Sequence, residues 1–324
     1  MTIKAAILGF GTVGEGVYQI LQTKRDHLTK LAGAPIELCG ILVDNLSKER
    51  ELPHSVFVTD QYEQILAQKP DVIFEAIVGE EPCFSYLTKA VDRHIHVVTA
   101  NKVMFAKYGT RLLEQAAQKV GIGYEATTAS GTPILGTITR LLQANSITKI
   151  EAILNGTSNY ILSSIQNEGK GFQEALEEAQ KRGFAEADPT NDIKGYDAFY
   201  KLMILSQLIY QSQPSWESVP CEGIDHITAD QFNDAQQQGN KIRHIASIEE
   251  VNGELHASVK PQVLSPSHGL HSIDGVDNAI HLFGDLVGPL TLRGPGAGQL
   301  ATASAMVEDF LYIWQSYPAK QLLY

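Results

Sequence analysis

The chain has 324 residues, 44% of them hydrophobic and 19% charged, enough apolar material for two domains with buried cores. Acidic residues outnumber basic ones by 37 to 25, and the formal charge of -12 argues against a general phosphate-binding surface for nucleic acid, a local basic pocket aside. Three isolated cysteines, no uncharged run of membrane-spanning length and no leader-like start lead us to expect a cytoplasmic protein with no membrane or nucleic-acid partner.

Lys4-Ala5-Ala6-Ile7-Leu8 is a short apolar run bounded at once by glycine, the pattern of a strand buried on both faces of a parallel sheet. Gly9-Phe10-Gly11-Thr12-Val13-Gly14 follows it and opens a long helical repeat of Val13, Val17, Ile20, Leu21, Leu28 and Leu31. GxGxxG between a strand and a helix is the context a dinucleotide turn requires. Gly9 makes the tight turn, Gly11 admits a pyrophosphate close to the backbone, and Gly14 lets the helix approach the sheet. Thr12 and Val13 supply helix-start amides, which favour phosphate. Without that context, the three glycines would equally well relieve turn and packing strain.

Residues 36–43 read as the second strand. Asp44, at its close, can accept hydrogen bonds from an adenosine ribose and repel a 2′-phosphate, which favours NAD over NADP. Lys48 and Arg50 lie just beyond and argue the other way, and an ordinary strand-ending acid is the bland alternative. Residues 71–77 and 94–98 read as later strands, with helices between and after them. The simplest layering is α/β, a Rossmann-like, doubly wound dinucleotide-binding domain. Thr99-Ala100-Asn101-Lys102 comes next, so Lys102 either reaches the crevice beyond the strand ends or is a plain surface lysine.

Small and hydroxyl residues crowd positions 127–133, and the main boundary is placed there. Residues 1–130 form the dinucleotide-binding domain. Residues 131–293 form a mixed α+β catalytic region, with a helix from about Ile134, a strand at 147–154, helices at 171–182 and 195–210, and strands at 241–249 and 255–264 joined at Asn252-Gly253. Residues 294–324 form a glycine-rich loop and a last helix starting near Ala301.

The densest chemical signal runs over residues 183–201. Asp197 and Lys201, four residues apart, share one helix face, where the carboxylate can orient the ammonium and favour its charged form. Glu186 and Asp192 can converge through the preceding loop as a receptor for an amino group. A solvated helix face is the competing reading, and an exposed pair of that kind adds only about 0.3–0.5 kcal/mol.

The glycine-rich turn at 9–14, the segments at 99–102 and 183–201, Asn155-Gly156-Thr157-Ser158-Asn159-Tyr160, Gly294-Pro295-Gly296-Ala297-Gly298 and Thr302-Ala303-Ser304-Ala305 together resemble the homoserine dehydrogenase family, over about residues 3–311. The resemblance implies reversible oxidation of L-homoserine to L-aspartate 4-semialdehyde with NAD or NADP, in the biosynthesis of threonine and methionine. It implies a homodimer whose second region serves dimerisation and whose last helix returns toward the cofactor domain. Lys201 corresponds to the principal catalytic lysine and Lys102 to its partner near the reacting oxygen, also bordering the cofactor with Thr99. Glu186 and Asp192 correspond to substrate-binding acids, and Asp197 to the support of Lys201. Asn155, Gly156 and Thr157 correspond to residues beside the nicotinamide and substrate, while Gly296, Ala297 and Gly298 help close the cofactor cleft.

Several positions depart from the family pattern. Around Ala129 and Ser130 the chain is less glycine-rich than its relatives; Glu125, with the backbones of Thr128 and Ser130, is the corresponding sodium site, and a hinge without metal is the alternative. Asp44 stands where the family often has an arginine for the NADP phosphate, in agreement with the charge argument for NAD. Ala301 replaces a common proline, and the chain ends soon after Trp314, so a short form without the C-terminal amino-acid-binding regulatory domain is expected. His94 and His96, on one strand face, are read as structural. The competing functions are an oxidoreductase for another small amino-acid-derived alcohol or aldehyde and a non-enzymatic dinucleotide sensor. Intact Lys102, Glu186, Asp192 and Lys201 argue against the sensor.

Overall fold

The apolar run at the N-terminus forms β1 (Ile3–Leu8), in which all residues but Lys4 are buried. The structure, a computed structural model, describes residues 2–53, 56–117 and 119–316. In chain order, α1 (Thr12–Thr23), α2 (Arg25–Ala32), β2 (Ile36–Leu42), β3 (Val58–Thr59), α3 (Tyr62–Ala67), β4 (Val72–Glu75), α4 (Cys83–Asp92), β5 (His96–Thr99), α5 (Lys102–Ala116) and β6 (Ile122–Gly123) follow. The strands pair in parallel in the order β3-β2-β1-β4-β5-β6. This is the doubly wound order, in which the connections reverse direction between β1 and β4.

The long helix expected after the glycine turn is two helices. Lys24, at φ -106° and ψ 16°, leaves helical geometry between them, and Gly33 in the left-handed region ends the second. The repeat survives the break because Val17, Leu21 and Leu28 still bury their side chains in one core. A second correction concerns His94, which adopts φ 60° before β5 begins and so shares no strand face with His96. Asp44 lies two residues beyond β2 and is exposed.

A second unit contains α6 (Ile134–Leu141), β7 (Ile147–Ile153), α7 (Gly156–Glu168), α8 (Phe172–Lys181), α9 (Thr190–Ile193), α10 (Tyr196–Tyr210), α11 (Ala229–Gln237), β8 (Lys241–Val251), β9 (Glu254–Leu264), β10 (Asp277–Gly284) and β11 (Gly288–Pro295). Its antiparallel sheet has the order β11-β10-β7-β8-β9. Asn252 and Gly253, both at positive φ, make the two-residue turn of the β8–β9 hairpin.

The last helix, α12 (Gln299–Ser316), packs with the first unit: Ala303, Met306, Val307, Phe310 and Ile313 join Ile3, Ile7, Val17, Phe74 and Val98 in one core. The divisions fall after Gly131 and after Ala297. Gly294 and Pro295, expected to open the terminal segment, instead end β11 in the second unit. Among the described residues no helix is long and apolar enough to cross a membrane.

Candidate active site

In the first unit, the turn from β1 into α1 sits against the end of β4. Gly9 has φ 86°, and a Cβ there would come within 2.7 Å of the Ala76 carbonyl oxygen. A Cβ at Gly14 would reach 2.1 Å from the Gly9 carbonyl, so that contact too requires glycine. Gly11 differs: nothing lies within 4 Å of its added Cβ, and as N-cap of α1 it offers no side chain to the helix amides. Open space over an uncapped helix start, at the point where the strand order reverses, fits a dinucleotide phosphate. Thr12 is exposed and Val13 half-buried at that same start.

The neighbouring strand ends carry a buried network that sequence reasoning missed. Glu75 closes β4 with no exposed surface. Its Oε2 accepts the Thr99 hydroxyl at 2.5 Å and its Oε1 the Ile77 N–H at 2.7 Å. Burial pushes this carboxyl up to about 7, against the opposing pull of hydrogen bonds led by Thr99. Thr99 Oγ1 in turn accepts the Asn101 N–H at 3.0 Å. Asn101 caps α5 by accepting the Met104 N–H at 3.1 Å, and its amide donates to the Gly79 carbonyl at 2.6 Å. Lys102 is the first residue of the helix so fixed. An acid closing an apolar strand at the switch point was the available signal for Glu75.

Glu125 opens a 3-10 turn, Glu125–Thr127, and is buried with Thr128 and Ser130. Its N–H donates to Asp309 Oδ2 at 2.8 Å, and burial, then the neighbouring Glu125 charge, push the Asp309 carboxyl up to about 7. Ser130 has φ 46°, and the Thr128 hydroxyl is buried without a hydrogen-bond partner. Glu125, Thr128 and Ser130 thus share one buried stretch of chain. Among the described residues no group of three or more His, Cys, Asp or Glu side chains could hold a metal ion.

In the second unit the acids and lysine expected at 192–201 do meet. Asp197 and Lys201 share a face of α10, with Lys201 Nζ 2.8 Å from Asp197 Oδ2. The pair is nearly sealed from solvent, at 4% and 7% residue exposure, so it differs in kind from a solvated surface bridge. Lys201 Nζ also donates to the Leu154 carbonyl at 2.7 Å. Asn155, the N-cap of α7, accepts the Ser158 N–H at 2.8 Å and donates to Asp192 at 2.7 Å and to Asp197 at 2.9 Å. One asparagine therefore ties the helix cap, the α9 acid and the lysine's carboxylate together.

Other expected residues sit around this knot without joining it. Thr157 donates to the Phe184 carbonyl at 2.6 Å, holding the loop before α9. Glu186 stands exposed on that loop, and its backbone carbonyl accepts Gln180 Nε2 at 3.1 Å. Gly156 packs beneath Val276, where a Cβ would meet the carbonyl oxygen at 2.7 Å. Gly296 lies on the amide of Asn278, a buried residue that no sequence signal singled out and whose Nδ2 donates to Leu154 O at 3.0 Å. Ala297 is exposed at the end of this unit, and Gly298, also exposed, begins the return to the first.

The residues that carry these features match known proteins. The family model described as homoserine dehydrogenase, NAD binding domain, matches residues 9–124, and that described as homoserine dehydrogenase matches residues 133–311. The chain is 38% identical over 317 residues to the homoserine dehydrogenase of Bacillus subtilis (strain 168), covering 97% of this chain and 73% of that one. It is 33% identical over 345 residues to a protein of Pseudomonas canavaninivorans named NAD(+)-dependent homoserine dehydrogenase, over 98% of each. The crystal structure of a homoserine dehydrogenase from Thiobacillus denitrificans is similar at a TM-score of 0.93 and 35% identity, over 99% of this chain and 75% of that one.

Proposed function

The chain belongs to the homoserine dehydrogenase family, and we infer that it interconverts L-homoserine and L-aspartate 4-semialdehyde with a nicotinamide dinucleotide, as a step of amino-acid biosynthesis. When bound, the dinucleotide accepts or returns the hydride of the alcohol carbon. The turn Gly9, Gly11, Thr12, Val13 and Gly14 is the phosphate-binding part, and Thr99, Asn155, Gly156, Gly296, Ala297 and Gly298 are the further residues proposed for the cofactor.

The observation that carries the mechanism is the buried, doubly anchored amine of Lys201, held by Asp197 and the Leu154 carbonyl. In the oxidising direction Lys201 as the neutral amine takes the hydroxyl proton and becomes the ammonium, and in the reducing direction that ammonium returns the proton to the aldehyde oxygen. Asp197 and the carbonyl set the position of the amine, so orientation is prepared before substrate arrives. Lys102 is proposed as a second cationic group for the reacting oxygen. Glu186 and Asp192 are proposed for the substrate's amino group, with Thr157 orienting the loop that carries Glu186.

Finer features belong to the same proposal. The exposed carboxylate of Asp44, just past β2, supports a preference for NAD, and the nearby Arg50 guanidinium bonds the Lys48 carbonyl at 2.8 Å. Glu125, Thr128 and Ser130 are proposed for sodium, and a homodimer is the proposed assembly.

The test crosses both substrates with NAD and NADP pairs, with and without sodium, for the parent protein and Lys201→Ala. The expected outcome is homoserine-dependent absorbance at 340 nm, higher kcat/KM with NAD, and sodium stimulation. Lys201→Ala should lower kcat by about 10²–10⁴-fold while cofactor affinity is kept. Near-parental turnover of that variant overturns the role of Lys201.

A further inference from the structure

We propose that Asn278 is a positioning residue for Lys201, acting through the carbonyl of Leu154. The inference rests on the reading of Lys201 as the proton-transfer group. Asn278 lies in β10 with no exposed surface, and its Nδ2 donates to Leu154 O at 3.0 Å across 124 positions of sequence. The same oxygen accepts Lys201 Nζ at 2.7 Å. A carbonyl oxygen offers two lone pairs, and the neutral amide and the ammonium together engage both.

The backbone explains why a side chain is needed here. Ala279 opposite Ile153 is the last pair of the β10–β7 ladder, so Leu154 stands just past its end. The amide of Asn278 continues the hydrogen bonding by one residue and aims the Leu154 carbonyl. That carbonyl then gives the amine of Lys201 a second anchor beside helix α10's own, Asp197.

Packing alone does not call for an amide at this position. Asn278 Oδ1 is buried with no hydrogen-bond partner, a cost of about 1–3 kcal/mol that leucine, of similar shape, would avoid. Turning the amide over would set oxygen against the Leu154 oxygen, so its orientation is fixed. Gly296 leaves the space the amide occupies: a Cβ at Gly296 would come within 2.0 Å of Asn278 Cγ. The glycine-rich turn after β11 therefore makes room for the lysine's support.

Two substitutions separate positioning from packing. Asn278→Leu removes the donor and keeps the volume; it should lower kcat by about tenfold or more, with homoserine KM and cofactor Kd changed by less than about threefold. Asn278→Asp keeps the shape but donates to Leu154 O only while protonated, so its kcat relative to the parent should fall as pH rises through the carboxyl's pKa. Combining Asn278→Leu with Lys201→Ala should be no slower than Lys201→Ala alone, because one acts through the other.

The proposal is overturned by a parental kcat in Asn278→Leu, by a pH-independent ratio in Asn278→Asp, or by multiplying losses in the double variant. Should Asn278→Leu fail to fold, the pH-dependent ratio decides. Full turnover in Lys201→Ala overturns both readings, whereas a slow Lys201→Ala beside an unaffected Asn278→Leu overturns only this one.

Discussion

Glu75 illustrates how one residue can hold a functional segment and carry a titration of its own. Its carboxyl is raised from 4.5 to about 7 chiefly by burial. A neutral form favoured by the folded state binds its proton more tightly there than in the unfolded chain. The resulting stability is fully present below about pH 4.5 and is lost as pH rises through about 7, a change of about 3 kcal/mol. Glu75→Gln, an isostere of the protonated acid, should flatten that dependence, so the variant gains on the parent between those limits. Urea unfolding of both proteins at several pH values checks this; parallel profiles would show that Glu75 ionises as easily inside the fold as outside. At the same scale, the Asp197–Lys201 pair follows from i,i+4 spacing, but its burial does not. Spacing sets direction around a helix, and only neighbouring elements decide whether water reaches it.

At the scale of elements, the turn between β1 and α1 separates glycines that the backbone packing requires from one that it does not. Gly9 and Gly14 fill positions where a Cβ meets backbone, whereas Gly11 has extended geometry and empty surroundings. Gly11→Ala should therefore leave the melting temperature unchanged and weaken cofactor binding by about tenfold, on the order of 1.4 kcal/mol. Thermal melting and cofactor fluorescence titration provide the two readings, and an unaltered Kd would remove Gly11 from the phosphate site. Strongly periodic or glycine-bounded elements were legible: β1, α6, α8, α10 and the β8–β9 hairpin stand near their expected positions. α7 was not, because residues 157–164 are buried on every side and show no amphipathic stripe. The strands β10 and β11 were missed as well; β11 alternates in burial, yet glycine and proline at both its ends read as turns.

At the scale of the molecule, the nucleotide-binding unit is completed by a helix from the far end of the chain. Phe310 of α12 has no exposed surface and meets Phe74 of β4 edge to face, with ring centroids 5.7 Å apart. Phe310→Ala should cost about 3–5 kcal/mol of stability, through lost burial and the cavity left behind. Denaturant unfolding measures it, and a loss below about 1 kcal/mol would mean that the helix is a peripheral attachment.

The dinucleotide turn and the register of Asp197 with Lys201 could be read from the chain alone, because both depend on short fixed spacings that local geometry converts directly into shape. The Glu75–Thr99–Asn101 network, the carbonyl of Leu154 shared by Lys201 and Asn278, and the return of α12 were decided only by tertiary structure. Their partners are distant in sequence and follow no period. What brings them together is the pairing order of the strands and the burial of apolar faces, which encloses polar groups from distant segments within reach of one another.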